Sequence, residues 1–482
     1  MLAVLNVMGS MLMLFSVTYL LPIVTSLIYA DGLVADFVLA AFGCLLAGAT
    51  IVAATRRHKR ELRSRDGFLL VSLAWVLMSA IATVPLLLAL PGLTFTDAFF
   101  ETMSGLSTTG ATVLTGLDSM APSLNLWRHA LIWYGGMGII VLVVAILPML
   151  GVGGMQLYKA ETPGPVKNEK LTPRITQTAR ALWVVYFLIT VACILSLRVA
   201  GMGWFDAVCH AFAAMGLGGF STHDASVGYF NSPAIEFVLI VFMLIAAMNF
   251  ARHFIAWQQK SLRTYATDIE AKAMLSVIGL ATLGVAFYIW VHGVYPSFWT
   301  ALRHTAFNLV SIATDCGFVS QNFAAWPTFA PMTMLMLSCY CANTGSTGGG
   351  IKMFRTLVLF RQASRELLLL VHPQAVTPVK IGGQVVANQI VFAVLAFVVL
   401  YFGTVVTLTF MLLASGLDFV SSFSAIIACI NNAGPGLGLV GPASNFQGLT
   451  DFQTWVCSTA MLLGRLEIFS FLVLFTPTFW RK

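Results

Sequence analysis

Charge is what this sequence has least of. Only 9% of its 482 residues are Asp, Glu, Lys or Arg, where a soluble domain carries about 25%. That scarcity excludes a soluble globular fold of this size. Cysteine is sparse too. The eight residues Cys44, Cys193, Cys209, Cys316, Cys339, Cys341, Cys429 and Cys457 lie in or beside apolar runs. Their spacing gives no disulfide or metal framework, so they read as small apolar fillers. The catalytic signatures H-E-x-x-H, G-x-S-x-G and a paired-carboxylate motif are missing. An enzyme is not expected.

What the chain does have is apolar length: 59% of it is hydrophobic. Ten runs approach the ~20 residues that cross a bilayer. They fall near 10–30, 35–55, 68–92, 129–150, 181–200, 237–257, 273–292, 329–360 (broken), 387–414 and 453–475. The first run continues too far to need a signal peptide as explanation. The segments 56–66, 159–180, 252–272 and 352–380, with Arg481 and Lys482, hold 22 of the 26 bases and only 7 of the 19 acids. Asp31, Asp36, Asp97, Glu101, Asp118, Asp206, Asp224 and Glu236 fall on the other side. By the positive-inside rule the basic loops are cytoplasmic, and an even number of spans puts both termini there. The net charge of +7 reflects this bias and argues for no nucleic-acid partner.

The polar breaks are more informative than the spans. CINNAGPGLG (429–438) cannot continue a helix, because Pro lacks an N–H and Gly is entropically costly there. Three other stretches align with it. DAFFETMSGLSTTG (97–110), DAVCHAFAAMGLGG (206–219), HTAFNLVSIATDCG (304–317) and SSFSAIIACINNAG (421–434) each open on a polar residue and end on a glycine. Those glycines, Gly110, Gly219, Gly317 and Gly434, are about a hundred residues apart. A period that long means four divergent domains in one chain. Asp97, Asp206 and Ser421 suit the N-cap of the short helix that follows.

Ten helical residues reach about 15 Å, half the hydrocarbon core. Each element should therefore enter as a half-helix and return as extended chain. Non-helical backbone at that depth is tolerated only inside protein or along a water-filled path. Four such segments read as four walls of one pore. A ring of main-chain carbonyls replaces the hydration shell of a monovalent cation, and half-helix C-termini favour positive charge. The candidate ligands, mainly through backbone carbonyls, are Thr108, Thr109 and Gly110; Leu217, Gly218 and Gly219; Asp315, Cys316 and Gly317; and Asn432, Ala433 and Gly434.

These residues resemble the TrkH/KtrB superfamily of potassium-uptake proteins, its TrkH branch above all. The likeness is carried by MSGLSTTGATVLTGLD (103–118), GLGGFSTHD (216–224), SIATDCGF (311–318), INNAGPGLG (430–438) and NTGSTGGGIK (343–352), spread over about 95 to 475. The two extra leading spans match that branch as well. The resemblance implies an all-α polytopic membrane protein. Four non-identical M1–pore helix–M2 repeats would surround one potassium pathway in pseudo-fourfold arrangement. The division would be 1–66 for two leading helices, then repeats over 67–175, 176–268, 269–380 and 381–482. It implies a filter glycine in each repeat, a homodimer in the lipid of a bacterial inner membrane, and a separate cytosolic TrkA-like regulatory subunit. That subunit would respond to NAD(H) or adenine nucleotides; no cofactor is expected in this chain. Members with serine at the first glycine tend to be sodium-permeable or sodium-coupled, so Gly110 favours potassium. Asp315 and Cys316 in the third wall depart from a simple potassium-channel pattern.

The eighth run is interrupted. Residues 329–342 make a helix of about 21 Å, too short to cross. The loop Asn343, Gly345, Ser346, Thr347, Gly348, Gly349 and Gly350 then reads as an intramembrane gate below the filter. Gly345 to Lys352 is a near miss for a phosphate-binding loop. Its lysine comes late, Met353 stands where Ser or Thr is required, and no strand precedes it. Arg465 lies about twelve residues into the last run, and an intramembrane arginine usually faces a cavity. It is expected to point into the pore, with Glu467 facing away. The family pattern also has an arginine here. Arg128 and His129 open the fourth span, and Arg303 and His304 begin the third pore helix, as interfacial anchors or partners of nearby acids. His210 and His223 read as structural. The rival functions are proton- or sodium-coupled potassium symport and a secondary transporter of an organic solute. The latter predicts inverted halves, whereas all four repeats share one orientation.

Overall fold

A computed structural model describes residues 1–58, 60, 62–141 and 172–481. The basic segment near 159–180 and the end of the run 129–150 lie largely outside the described residues. Helices dominate. Among the described residues six are long and apolar enough to span a bilayer: Leu2–Tyr29, Val34–His58, Arg65–Ala89, Ala179–Val199, Ile269–Val291 and Asn388–Ala414. Two helix pairs qualify only as bent spans, Pro233–Ala246 with Phe250–Gln259 (95°) and Asp451–Arg465 with Phe469–Phe475 (107°). The apolar runs 237–257 and 453–475 are continuous in sequence but bent in the fold. The helix Pro122–Val141 and the interrupted run from Phe329–Ser338 to Met353–Val371 occupy the remaining two runs.

Van der Waals packing rather than hydrophobic expulsion brings helices together in lipid, so small residues mark the close crossings. The two leading helices cross where Gly9 meets Gly48. A Cβ on Gly9 would stand 2.8 Å from the Gly48 carbonyl oxygen. Tyr19 of the first helix stacks on Trp127 at 4.5 Å, and Trp127 donates its indole N–H to the Ala82 carbonyl. These contacts fasten the leading pair to the first repeat.

Four half-helices lie between the long ones: Phe95–Leu106, Trp204–Gly216, Phe298–Ala313 and Phe419–Asn431. They begin earlier than the motif suggested. Asp97, Asp206 and Ser421 occupy the third helical position. The cap positions belong to Thr94, Gly203 and Asp418. Thr94 accepts from the Asp97 amide, and Asp418 accepts from the Ser421 amide. Three residues is nearly one helical turn, so the polar residue kept its face but not its role. Arg303 and His304 correspondingly fall inside the third half-helix, not at its start. Among the described residues one small sheet is present, Lys380–Ile381 against Gln384–Val385. Gly382 and Gly383 both have positive φ there, which suits a two-residue hairpin turn.

Candidate ion pathway

The four half-helices end alike. Each closes with a Schellman motif. Thr109, Gly218, Cys316 and Ala433 donate their amides to carbonyls five residues back, Ser104, Ala213, Ser311 and Ala428, at 2.8–2.9 Å. The residue before each, Thr108, Leu217, Asp315 and Asn432, is left-handed (φ 55°, 54°, 65° and 57°). Glycine usually fills that position. A side chain there costs roughly 1 kcal/mol or more, so the same expense recurs at four equivalent points. One residue on, Gly110, Gly219, Gly317 and Gly434 again have positive φ, between 58° and 91°. Helix, left-handed residue and turned glycine together swing each chain out of its half-helix and back along it.

The returning strands meet. A Cβ on Gly110 would overlap the Gly218 carbonyl oxygen, and one on Gly219 would overlap that of Cys316. A Cβ on Gly317 would stand 2.6 Å from the Ala433 oxygen, and one on Gly434 would stand 3.0 Å from the Thr109 oxygen. The contacts run first to second, second to third, third to fourth and fourth to first. That is a closed ring, which explains why glycine is required at each point. All four glycines line one open cavity of about 90 Å³ on the side of Asp224 and Asn445.

Each strand is also tied to its own half-helix from behind. Glu101, nine residues before Gly110, accepts from the Thr112 hydroxyl and the Val113 amide. His210, nine before Gly219, meets the Ser221 hydroxyl at 3.0 Å. Asn308, nine before Gly317, exchanges hydrogen bonds with Ser320 through its hydroxyl and its amide, both at 3.0 Å. In the fourth repeat Ser424 accepts from the Leu437 amide at 2.8 Å. The sequence reading missed this brace. Its signal was a polar residue nine positions before the ring glycine in three walls and ten before it in the fourth, hidden because Glu, His, Asn and Ser share no side-chain type. Arg128 pairs with Glu101 at 2.7 Å with both groups 1% exposed. It also lies over the Phe220 ring at 4.3 Å, linking the first two walls. Arg303 pairs with Glu236 at 2.7 Å. Both arginines are partners of acids, the second of the two roles the sequence left open.

Below the ring runs the loop 343–350. Its contacts reach every repeat. Asn343 donates its amide to the Ala247 carbonyl, and the Phe250 amide donates to the Gly345 carbonyl. These two bonds fill the break between the bent helices there. Thr344 N–H donates to Glu270 at 2.9 Å, the Thr347 hydroxyl to the Met215 carbonyl at 3.1 Å, and Gly349 N–H to Asp315 at 3.1 Å. Gly349 lies so close to the Asn431 carbonyl that a Cβ would overlap it.

Arg465 completes the set. It donates to the Thr347 carbonyl at 2.9 Å and to the Gly135 carbonyl at 2.7 Å. It stands at the end of its helix rather than in mid-span. The chain breaks just after it, at Glu467 and Ile468, which both have positive φ. Glu467 turns aside to Arg355 at 2.7 Å and Lys352 at 3.5 Å. Among the described residues no carboxylate forms an ion pair with Arg465; its charge is held by the two carbonyl dipoles and by the Trp75 ring, 5.9 Å from the guanidinium carbon.

The fold is that of a polytopic membrane protein with four re-entrant hairpins closed around one axis. The TrkH family of cation transport proteins matches residues 34–482, and the chain belongs to that family. It is 45% identical to a Trk system potassium uptake protein TrkH of Salmonella typhimurium over 481 residues, covering 100% of this chain and 99% of that protein. It is 47% identical to the protein of the same description from Vibrio parahaemolyticus, with equal coverage. The crystal structure of the potassium transporter TrkH from Vibrio parahaemolyticus superposes with a TM-score of 0.92 at 44% identity, over 100% of this chain and 99% of that one.

Proposed function

We propose that this chain carries potassium into a bacterial cell across the inner membrane, through the ring closed by Gly110, Gly219, Gly317 and Gly434. That ring is the observation that carries the reading. Four strands packed edge to edge at glycine support a lining of main-chain carbonyls, the chemistry that exchanges for the water of an alkali ion. The candidate ligands are the twelve residues of the four walls, and the repeats divide the chain at about 67, 176, 269 and 381. The membrane potential supplies the drive, about 2.3 kcal/mol per charge per 100 mV.

The loop 343–350 is the gate, and Arg465 holds it shut while setting a positive charge on the exit path. Its contacts with all four repeats support this. Both termini are cytoplasmic, the chain works as a homodimer, and a cytosolic nucleotide-binding subunit acts on the gate from the basic face. The names of the similar proteins, all components of a Trk system, support a partner of that kind. The test is rubidium uptake into vesicles against competing sodium, comparing wild type with Gly110→Ser. Discrimination should fall in the variant; equal discrimination in both overturns the filter assignment.

A further inference from the structure

The four left-handed residues at the foot of the ring differ in chemistry: Thr108, Leu217, Asp315 and Asn432. They occupy one position of one backbone motif, so their side chains leave the main chain at one depth around the axis. Three carry oxygen, and all three are buried, 0%, 0% and 1% exposed for Thr108, Asp315 and Asn432. Asp315 Oδ2 accepts the Gly349 N–H. Its Oδ1 has no hydrogen-bond partner among the described residues, nor has Thr108 Oγ1 or Asn432 Oδ1. Asn432 donates its amide hydrogens to Thr109 Oγ1 at 2.9 Å and to the Met461 carbonyl at 3.1 Å, leaving its oxygen free.

Glycine backbone packs close beside two of these side chains. A Cβ on Gly348 would stand 3.3 Å from Asp315 Oδ2. One on Gly349 or Gly464 would stand 3.2 or 3.0 Å from Asn432 Oδ1. Among the described residues no base forms an ion pair with Asp315. Lys352 and Arg355 go to Glu467, and Arg465 goes to carbonyls. Lys352 acts on Asp315 electrostatically without forming an ion pair with it, so the buried carboxylate is only partly compensated, and orphaned buried oxygens call for a partner.

We propose that Asp315 Oδ1, Asn432 Oδ1 and Thr108 Oγ1 form a second, side-chain site for a monovalent cation, directly beneath the carbonyl ring. The proposal rests on the pore reading and deepens it. Hard oxygens bearing one negative charge match one alkali ion. The ring above offers neutral dipoles, whereas this site offers a full charge, so it sets the apparent affinity of uptake. Leu217 contributes no ligand, which makes the site one-sided, open toward Asp315. The loop shares the same carboxylate through Gly349, so ion and loop are neighbours there.

The test uses the full chain in liposomes, measuring rubidium uptake against rubidium concentration for wild type and Asp315→Asn. Asparagine retains an oxygen for the Gly349 N–H, so the loop contact survives and only the charge is lost. The half-saturating concentration should rise about tenfold, with Asp315→Glu recovering part of the loss. Unchanged half-saturation in a variant that melts like wild type overturns the site. Should Asp315→Asn fail to fold, Thr108→Val is read in the same assay. It should raise half-saturation several-fold, and no change overturns the proposal. Failure of the pore reading shows separately, as sodium discrimination that Gly110→Ser does not move.

Discussion

At Gly110 one hydrogen atom separates a closed ring from a clash. Any side chain there must displace the Gly218 carbonyl, so Gly110→Ser changes the ring's shape as well as its chemistry. Arg465 acts in the opposite sense. Arg465→Ala frees the Thr347 carbonyl and removes a fixed positive charge. Potassium flux should rise several-fold with the protein still folded, a result checked by rubidium uptake beside a melting curve. Unpaired carbonyls left behind cost about 1–3 kcal/mol, so a modest fall in melting temperature accompanies the gain. The Glu101–Arg128 pair predicts a larger penalty. Glu101→Ala strands a buried guanidinium, at a cost of about 3–5 kcal/mol. It also releases Thr112 and Val113 from behind the ring. Thermal unfolding in detergent should show the loss, and it should exceed that of Asp97→Ala at the exposed end of the same half-helix.

Among the elements, the half-helices are the units that repeat, and their caps can be tested by pH. Hydrogen bonds from the Ser421 amide and hydroxyl hold the Asp418 carboxyl below its ordinary value. A depressed carboxyl stabilises above its unfolded pKa, near 4, and loses that contribution as pH falls through the folded value. Asp418→Ala should cost about 1 kcal/mol at pH 7. The difference between wild type and Asp418→Asn, measured by thermal unfolding, should shrink as the pH is lowered past 4. The half-helices were legible in the sequence because a polar start, an apolar body and a terminal glycine repeat four times. Their true starts were not, because a polar residue at the third position resembles a cap. The breaks after Ala246 and Arg465 were also hidden. Neither carries Pro or Gly at the bend, and both arise from contacts with a loop about 100 residues away in sequence. The hairpin at Gly382 and Gly383 was missed because the strands are two residues long. The glycine spacing alone singles out the four positions that meet in the ring, but the brace behind them is hidden, because its polar residue changes type from wall to wall and sits nine residues before the glycine in three walls and ten in the fourth.

For the whole molecule, the basic loops and the paired count of spans lead to one orientation. A fluorescent protein fused after Lys482 should mature in the cytoplasm, whereas a periplasmic reporter at the same place should stay silent. The reverse result would invert the direction of uptake as well as the topology. The fourfold plan also stops at the ring. Above it the walls are alike in backbone; beneath it a single loop, supplied by the third repeat alone, touches the others through Met215, Asn431 and, by way of Arg465, Gly135, and its own repeat through Asp315. Acting as the gate proposed above, one loop serving four walls cannot withdraw by quarters. Current through a single chain should therefore switch between two levels, without the graded intermediate steps that four independent barriers would produce.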